Sequence, residues 1–320
     1  MSDGGSATLD ESLSVDGVMR SLVGRRVYFE KLHGNNGDDL IRMGALLAME
    51  AAGLETIDSP DDADVIVING GGGMIDESKG VVRTLREHLD RSPDREIVVL
   101  PQSYKFETVD FASFFRGRSA PTTLFTRERY SLAFLESAGV SAEVRIGLDH
   151  DMAFRLADSR FLADTSSRLS ADHVLVVERA DVEGTTGAQV KPIGSPAVNR
   201  FVPEAVKAPL RRVISRRRAQ AWSSQSPFVS SMRERLIERV PEAAGLPTVA
   251  LDISDRNNTD FDGFVSAIAG AAAVATNRLH VGVLAGLLGK PTLLASNSYH
   301  KIMGIREMSM TDMPHVEFLG

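Results

Sequence analysis

Apolar positions along this chain alternate between two rhythms. Short continuous runs, such as Val-Ile-Val-Ile at 65–68 and Val-Leu-Val-Val at 174–177, have the pattern of strands buried on both faces. Between such runs, apolar residues recur every three or four positions over ten or more residues, as at 40–52 and 129–138. Each of these stretches meets a glycine, Gly53 or Gly139, placed to stop a helix. The first half of the chain reads as strands at 26–30, 64–69, 97–100, 123–126 and 143–146. A second series has strands at 173–177, 248–253, 271–276 and 291–295, with helices at 230–240, 262–270 and 279–288. Repeated strand–helix units predict open parallel sheets with helices on both faces.

The two series are separated. The junction falls between about 157 and 172, and from 181 to 197 the composition turns to Gly, Thr, Pro and Ser, which marks a loop. At 320 residues the chain exceeds the ~250–300 at which single cores stop growing, so two cores are expected. The expected organisation is a disordered tail over 1–20, an N-terminal Rossmann-like domain over 21–165 and a C-terminal one over 166–320. The fold class is α/β, with two parallel sheets facing a central cleft, because ligands of open α/β sheets collect beyond the carboxyl ends of the strands.

Composition narrows the chemistry. A formal net charge of −7 offers no basic field for nucleic acid, and the absence of cysteine removes thiolate nucleophiles, disulfides and sulfur-ligated zinc. The first twenty residues are polar and acidic, without the basic start and apolar stretch of a signal peptide. No run approaches the ~20 apolar residues that cross a bilayer, so a soluble, cytoplasmic protein is expected. Five arginines in the eight positions 211–218 read first as a solvated basic face. As a partner site they would suit an anionic surface, such as the inner face of the membrane, or an acidic acceptor.

Four loops carry polar residues where ligands gather. The first, from Lys31 to Asp39, joins a strand to a helix but has neither phosphate-loop fingerprint, and Asn36 or Asp38 there can simply cap the helix. The second, Gly70 to Gly73, implies a close backbone approach by a ligand or by the next strand. The third opens with Glu178 and Arg179 at a strand end, where a guanidinium suits a carboxylate or phosphate. The fourth pairs Thr276-Asn-Arg-Leu-His280 with Asn297-Ser-Tyr-His-Lys301 across one right-handed crossover, so that Arg278, His280, Tyr299 and Lys301 can meet on one anion.

Taken in order, Gly34-Asn-Asn-Gly-Asp38, the strand into Gly70 to Gly73, Thr126-Arg-Glu128 with Ser131, the stretch from Asp149 to Phe154, Arg179-x-Asp-x-Glu183, Asn277-Arg-Leu-His280, Gly289-Lys-Pro291 and Ser298-Tyr-His-Lys301 resemble the polysaccharide pyruvyl transferase family. The resemblance implies a GT-B-like pair of domains and transfer of the pyruvyl group of phosphoenolpyruvate to a sugar, forming a ketal and releasing phosphate. Members often carry Arg-Asp where this chain has Arg127-Glu128, and Asp-Pro-Ala where it has Asp151-Met-Ala153.

That chemistry needs a proton donor and an anion clamp. His280, with an unperturbed pKa of ~6.5, is the expected catalytic acid and base. Arg278, Lys301, Arg179 and Tyr299 are expected on phosphoenolpyruvate, and Asn35, Asn36, Asp38, Gly71 and Gly72 on the acceptor saccharide, whether lipid-linked or nucleotide-linked. No metal or further cofactor is expected. A GT-B glycosyltransferase using a nucleotide sugar, and a non-catalytic sugar-binding relative, stay open beside this reading.

Overall fold

A computed structural model of the chain describes residues 9–76, 78–141, 143–179, 220–221, 225–296 and 300–319. Two compact units divide it. One holds the described residues up to 34, together with 40–157 and 304–311; the other holds 35–39, the described residues of 158–303, and 312 onward. Each unit therefore borrows a short segment from the far part of the sequence, where the sequence pattern suggests contiguous domains.

The first unit carries β1 (Val27–Glu30), β2 (Thr56–Ile57), β3 (Val65–Ile68), β4 (Gly71–Ile75), β5 (Glu96–Lys105), β6 (Thr122–Thr126) and β7 (Val144–Leu148). They form one parallel sheet in the order β2-β1-β3-β5-β6-β7, with β4 pairing the outer half of β5. All four residues of β3 are fully buried, as continuous apolar strands of a parallel sheet should be. On one face Ile66, Ile68, Ile97 and Val99 pack against Leu85 and Leu89 of the helix Lys79–Arg91 and Leu132 and Leu135 of the helix Arg129–Ser137. Phe106 and Phe111 stack in the same core with centroids 4.9 Å apart.

In the second unit β8 (His173–Val177), β9 (Thr248–Ala250), β10 (Ala271–Thr276), β11 (Thr292–Ala295) and β12 (Val316–Leu319) make a parallel sheet in the order β12-β11-β10-β8-β9. Val174, Val176, Ala273 and Ala275 bury against Val229, Met232 and Leu236 of the helix Pro227–Arg239, which Pro227 opens and Ser226 caps. The helix Leu279–Leu287 is apolar on all sides and buried along most of its length; Gly282 lets it approach β11, where an added Cβ would lie 2.8 Å from Leu294 Cδ1. Nine α-helices occur among the described residues, and none is long and apolar enough to cross a membrane.

Two expectations are corrected here. The tail over 1–20 contains a helix, Val15–Ser21, whose Val15, Val18 and Met19 are buried. Ser14 caps it, and the Asp149 carboxylate accepts the Val15 N–H at 2.8 Å, so a spacing too short to register as periodicity is held by long-range contacts. The Gly70 to Gly73 run is also not a loop, since Gly71–Gly73 open β4. A Cβ on Gly70 would come within 2.7 Å of Pro101 O, and one on Gly73 within 2.5 Å of Val81 Cγ2, so neighbouring backbone and helix are what approach.

A buried ion pair closes the end of β6. Arg127, fully buried, donates from Nη1 to Asp151 Oδ2 at 2.5 Å and from Nε to Ser103 Oγ at 2.9 Å, while Asp151 Oδ1 accepts the Ala153 N–H. Residues 304–311 belong to this unit through Gly304, which packs on Glu128, and Ser309, 2.8 Å from His150 Nδ1. Asp151→Ala strands the guanidinium without its counter-charge, and urea denaturation should show a loss of about 3–5 kcal/mol. A loss below about 1 kcal/mol would mean that water reaches Arg127.

Candidate functional site

In the second sheet β8 lies between β9 and β10, so the chain leaves its carboxyl end toward one side and that of β10 toward the other. Ligands of open α/β sheets gather at such a switch point, along the crest formed by the carboxyl ends of the strands. Onto it the strands deliver Glu178 and Arg179 after β8, Asp252 after β9, and Asn277 and Arg278 after β10. Lys301, buried, begins the helix Lys301–Ser309 after β11.

Arg278 and Asp252 are both buried and form a two-pronged pair. Nε donates to Asp252 Oδ1 at 3.1 Å and Nη2 to Oδ2, while Asn258 Nδ2 holds the Asp252 carbonyl at 2.9 Å. The fork that the sequence reading assigns to phosphoenolpyruvate is thus placed on a protein carboxylate. Arg179 donates its backbone N–H to Asn277 Oδ1 at 2.6 Å, and Glu178 accepts the Ser226 hydroxyl. Asp252 escaped the sequence reading because it lies in an apolar run; a lone carboxylate at a strand's carboxyl end was the available signal.

His280 stands in the first turn of the helix Leu279–Leu287, half-buried, with Gly37 against it: a Cβ on Gly37 would be 2.7 Å from His280 Cβ. Gly37 is held there by the segment 35–39, which belongs to this unit. Asn35 Oδ1 accepts the Gly37 N–H and Asp38 Oδ2 accepts the Asn35 N–H, both at 2.7 Å, a reciprocal cap on the helix Asn36–Ala52. Asn36, buried, donates from Nδ2 to the carbonyls of Ile253 (2.9 Å) and Thr259 (3.1 Å), and Asp39 pairs with Arg256 at 2.6 Å. Asn35, Asn36 and Asp38, expected on the acceptor, therefore cap and tie the segment that backs His280. Gly71 and Gly72 lie in β4 of the first unit, and Tyr299, Glu183 and the 211–218 cluster fall outside the described residues.

Lys290 of the Gly-Lys-Pro motif is at the opposite end of the strands. Its Nζ donates to the carbonyls of Ser170 (2.8 Å) and Ala271 (2.7 Å), burial pushes its pKa down, and Gly289 with φ +70° ends the preceding helix.

A titratable cluster not seen in the sequence lies at the switch point of the first sheet, between β1 and β3. Glu30 at the end of β1 accepts from His88 Nε2 at 2.9 Å and from Tyr28 Oη at 3.4 Å. The His88 hydrogen bond holds its carboxyl below the ordinary 4.5. Among the described residues no three His, Cys, Asp or Glu are grouped to hold a metal ion.

The family model for polysaccharide pyruvyl transferase matches residues 11–299. The chain belongs to that family. The match takes in both switch points, the capping segment 35–39 and the 277–280 quartet. A crystal structure of the functionally uncharacterised protein KP1_0663 from Klebsiella pneumoniae subsp. pneumoniae is similar at 17% identity, with a TM-score of 0.58 over 95% of this chain and 96% of that one. At that identity the likeness speaks for the fold. No curated protein matches the chain.

Two outcomes follow for this chain. Gly37→Ala, which in an exposed helix would be favourable, should here destabilise by about 1–3 kcal/mol in urea titrations, because the methyl group has to displace His280. A neutral or stabilising effect would show that the contact yields freely. Glu30, whose pKa is lower folded than unfolded, contributes stability that is complete above its ordinary pKa and is lost as pH falls through the folded value. Glu30→Gln should therefore flatten the decline of the urea midpoint between about pH 5 and pH 3. Parallel declines in both proteins would remove the pair from the acid response.

Proposed function

We propose that the chain transfers the pyruvyl group of phosphoenolpyruvate to two hydroxyls of a saccharide, forming a cyclic ketal and releasing phosphate. The observation that carries this reading is the position of His280 in the first turn of its helix, backed by Gly37, on the strand-end crest that also bears Arg278, Arg179 and Lys301. Family membership supplies the reaction class.

The steps match the residues. His280 as imidazolium protonates the methylene carbon of the enol, making a methyl group and leaving positive charge at the adjacent carbon. A saccharide hydroxyl forms the first new C–O bond there. A second hydroxyl of the same acceptor then displaces the phosphate, closing the ring as the carbon–oxygen bond to phosphorus breaks. Of the two hydroxyl protons, one balances the proton given to the methylene and the other leaves with the base or the phosphate. Arg179, Arg278 and Lys301 offset the charge of the donor, and Asp252 fixes the plane of the Arg278 guanidinium. Side-chain cations suffice for this clamp, and the reading includes no metal.

The test is incubation of the full chain with phosphoenolpyruvate and a panel of free, nucleotide-linked and lipid-linked saccharides. Phosphate release matched by a product bearing a new methyl group is expected. Nucleotide release from a nucleotide sugar without consumption of phosphoenolpyruvate would overturn the reading. His280→Gln should lower turnover by roughly 10²–10⁴-fold with folding retained. Near-normal turnover in the folded variant would remove His280 from the chemistry.

A further inference from the structure

We infer that the exit of β10 is an oxyanion seat for the phosphoryl group of a small phosphate ester, built from the Asn277 side-chain amide and the first turn of the helix Leu279–Leu287. The seat deepens the proposed function and rests on it only for the identity of the ester.

Asn277 is 1% exposed. Its Oδ1 accepts the Arg179 N–H at 2.6 Å and its backbone N–H donates to Val177 O at 3.3 Å, so the residue bridges the ends of β8 and β10. Because Oδ1 is engaged by a donor, the other end of the amide is the NH₂ group. That Nδ2 is buried and has no hydrogen-bond partner among the described residues. Native proteins rarely leave such a donor unsatisfied, and an orphan at a strand-end crest points to an acceptor that arrives from outside.

The adjoining helix has no side-chain cap. Its N-cap is Arg278, whose side chain has no acceptor atom and makes no capping bond; the Arg278 N–H itself goes to Thr276 Oγ1 at 2.8 Å. The nine-residue helix thus presents first-turn N–H groups, and the positive end of its dipole, without a side-chain cap. Among the described residues the strand ends also carry the cations Arg179, Arg278 and Lys301 and two carboxylates: Asp252, paired with Arg278, and Glu178, which accepts from Ser226.

This donor set favours a phosphoryl group over a carboxylate. Two coplanar carboxylate oxygens fit the fork of a guanidinium, and the Nε edge of Arg278 is on Asp252. An amide and a helix turn present donors along different directions, which suits the tetrahedral spread of phosphoryl oxygens.

Binding of inorganic phosphate to the full chain, measured by calorimetry in wild type and Asn277→Asp, tests the seat. The aspartate keeps the acceptor for the Arg179 N–H while replacing the donor with a negative oxygen, so phosphate affinity should fall by at least about tenfold. In unmutated protein labelled with ¹⁵N-asparagine, phosphate should shift one side-chain amide pair, which holds the seat open to refutation even if the variant fails to fold. Unchanged affinity in the folded variant, no phosphate binding by wild type, or no shifted amide would each overturn it. The two readings separate cleanly. Turnover of phosphoenolpyruvate with phosphate binding indifferent to residue 277 removes the seat and keeps the function, whereas phosphate bound through Asn277 with no turnover on any saccharide does the reverse.

Discussion

A guanidinium taken out of water needs a carboxylate at close range, and each unit of this chain closes the carboxyl end of its sheet with one such pair. Arg127 follows β6 directly and meets Asp151; Arg278 follows β10 by one residue and meets Asp252. Buried pairs of this kind add little net stability relative to apolar replacements, but once present they tolerate few alternative geometries. Around Arg127 the fixed elements are Ser103, on β5, and the turn that begins at Ala153. Around Arg278 they are Asn258, the turn at Ser254 and the strand-end crest that carries His280.

Elements set by local pattern were legible in the sequence. The runs at 65–68 and 173–177 are strands where the apolar pattern puts them, and Gly53 and Gly139, at φ +70° and +68°, stop the helices they were expected to stop. The expected strand at 248–253 is shorter, Thr248–Ala250, because the chain turns away to place Asp252. What stayed hidden depends on distance in sequence. Asn36 finds its carbonyl partner 217 residues away, and β4 exists because Gly71 and Met74 pair with Gln102 and Tyr104. No local window contains those partners.

The motifs that suggested the family divide by what their side chains touch. Asn35, Asn36 and Asp38 answer to backbone groups, Lys290 ties two carbonyls at the far end of the strands, and Asp149 caps a helix. His280, Arg278 and Asn277 follow β10 together, where Asn277 accepts the Arg179 N–H and Arg278 meets Asp252. A sequence signature therefore includes residues whose side chains serve to hold neighbouring segments still. The polar character that made Asn36 a plausible sugar contact equally suits it to bind buried carbonyls, and only the partner distinguishes the two uses.

The interleaving of the two units bears on how the chain is made. A polypeptide emerges from the ribosome amino end first, and domains ordinarily complete themselves in that order. Here the first unit lacks its 304–311 segment until four of the second unit's five strands have been made, and residues 35–39 wait for strands that follow residue 172. Neither unit can be completed before much of the other has been made. The growing chain therefore carries the first unit as an incomplete body while the second is being made, a state in which transient shielding by chaperones becomes part of producing the protein.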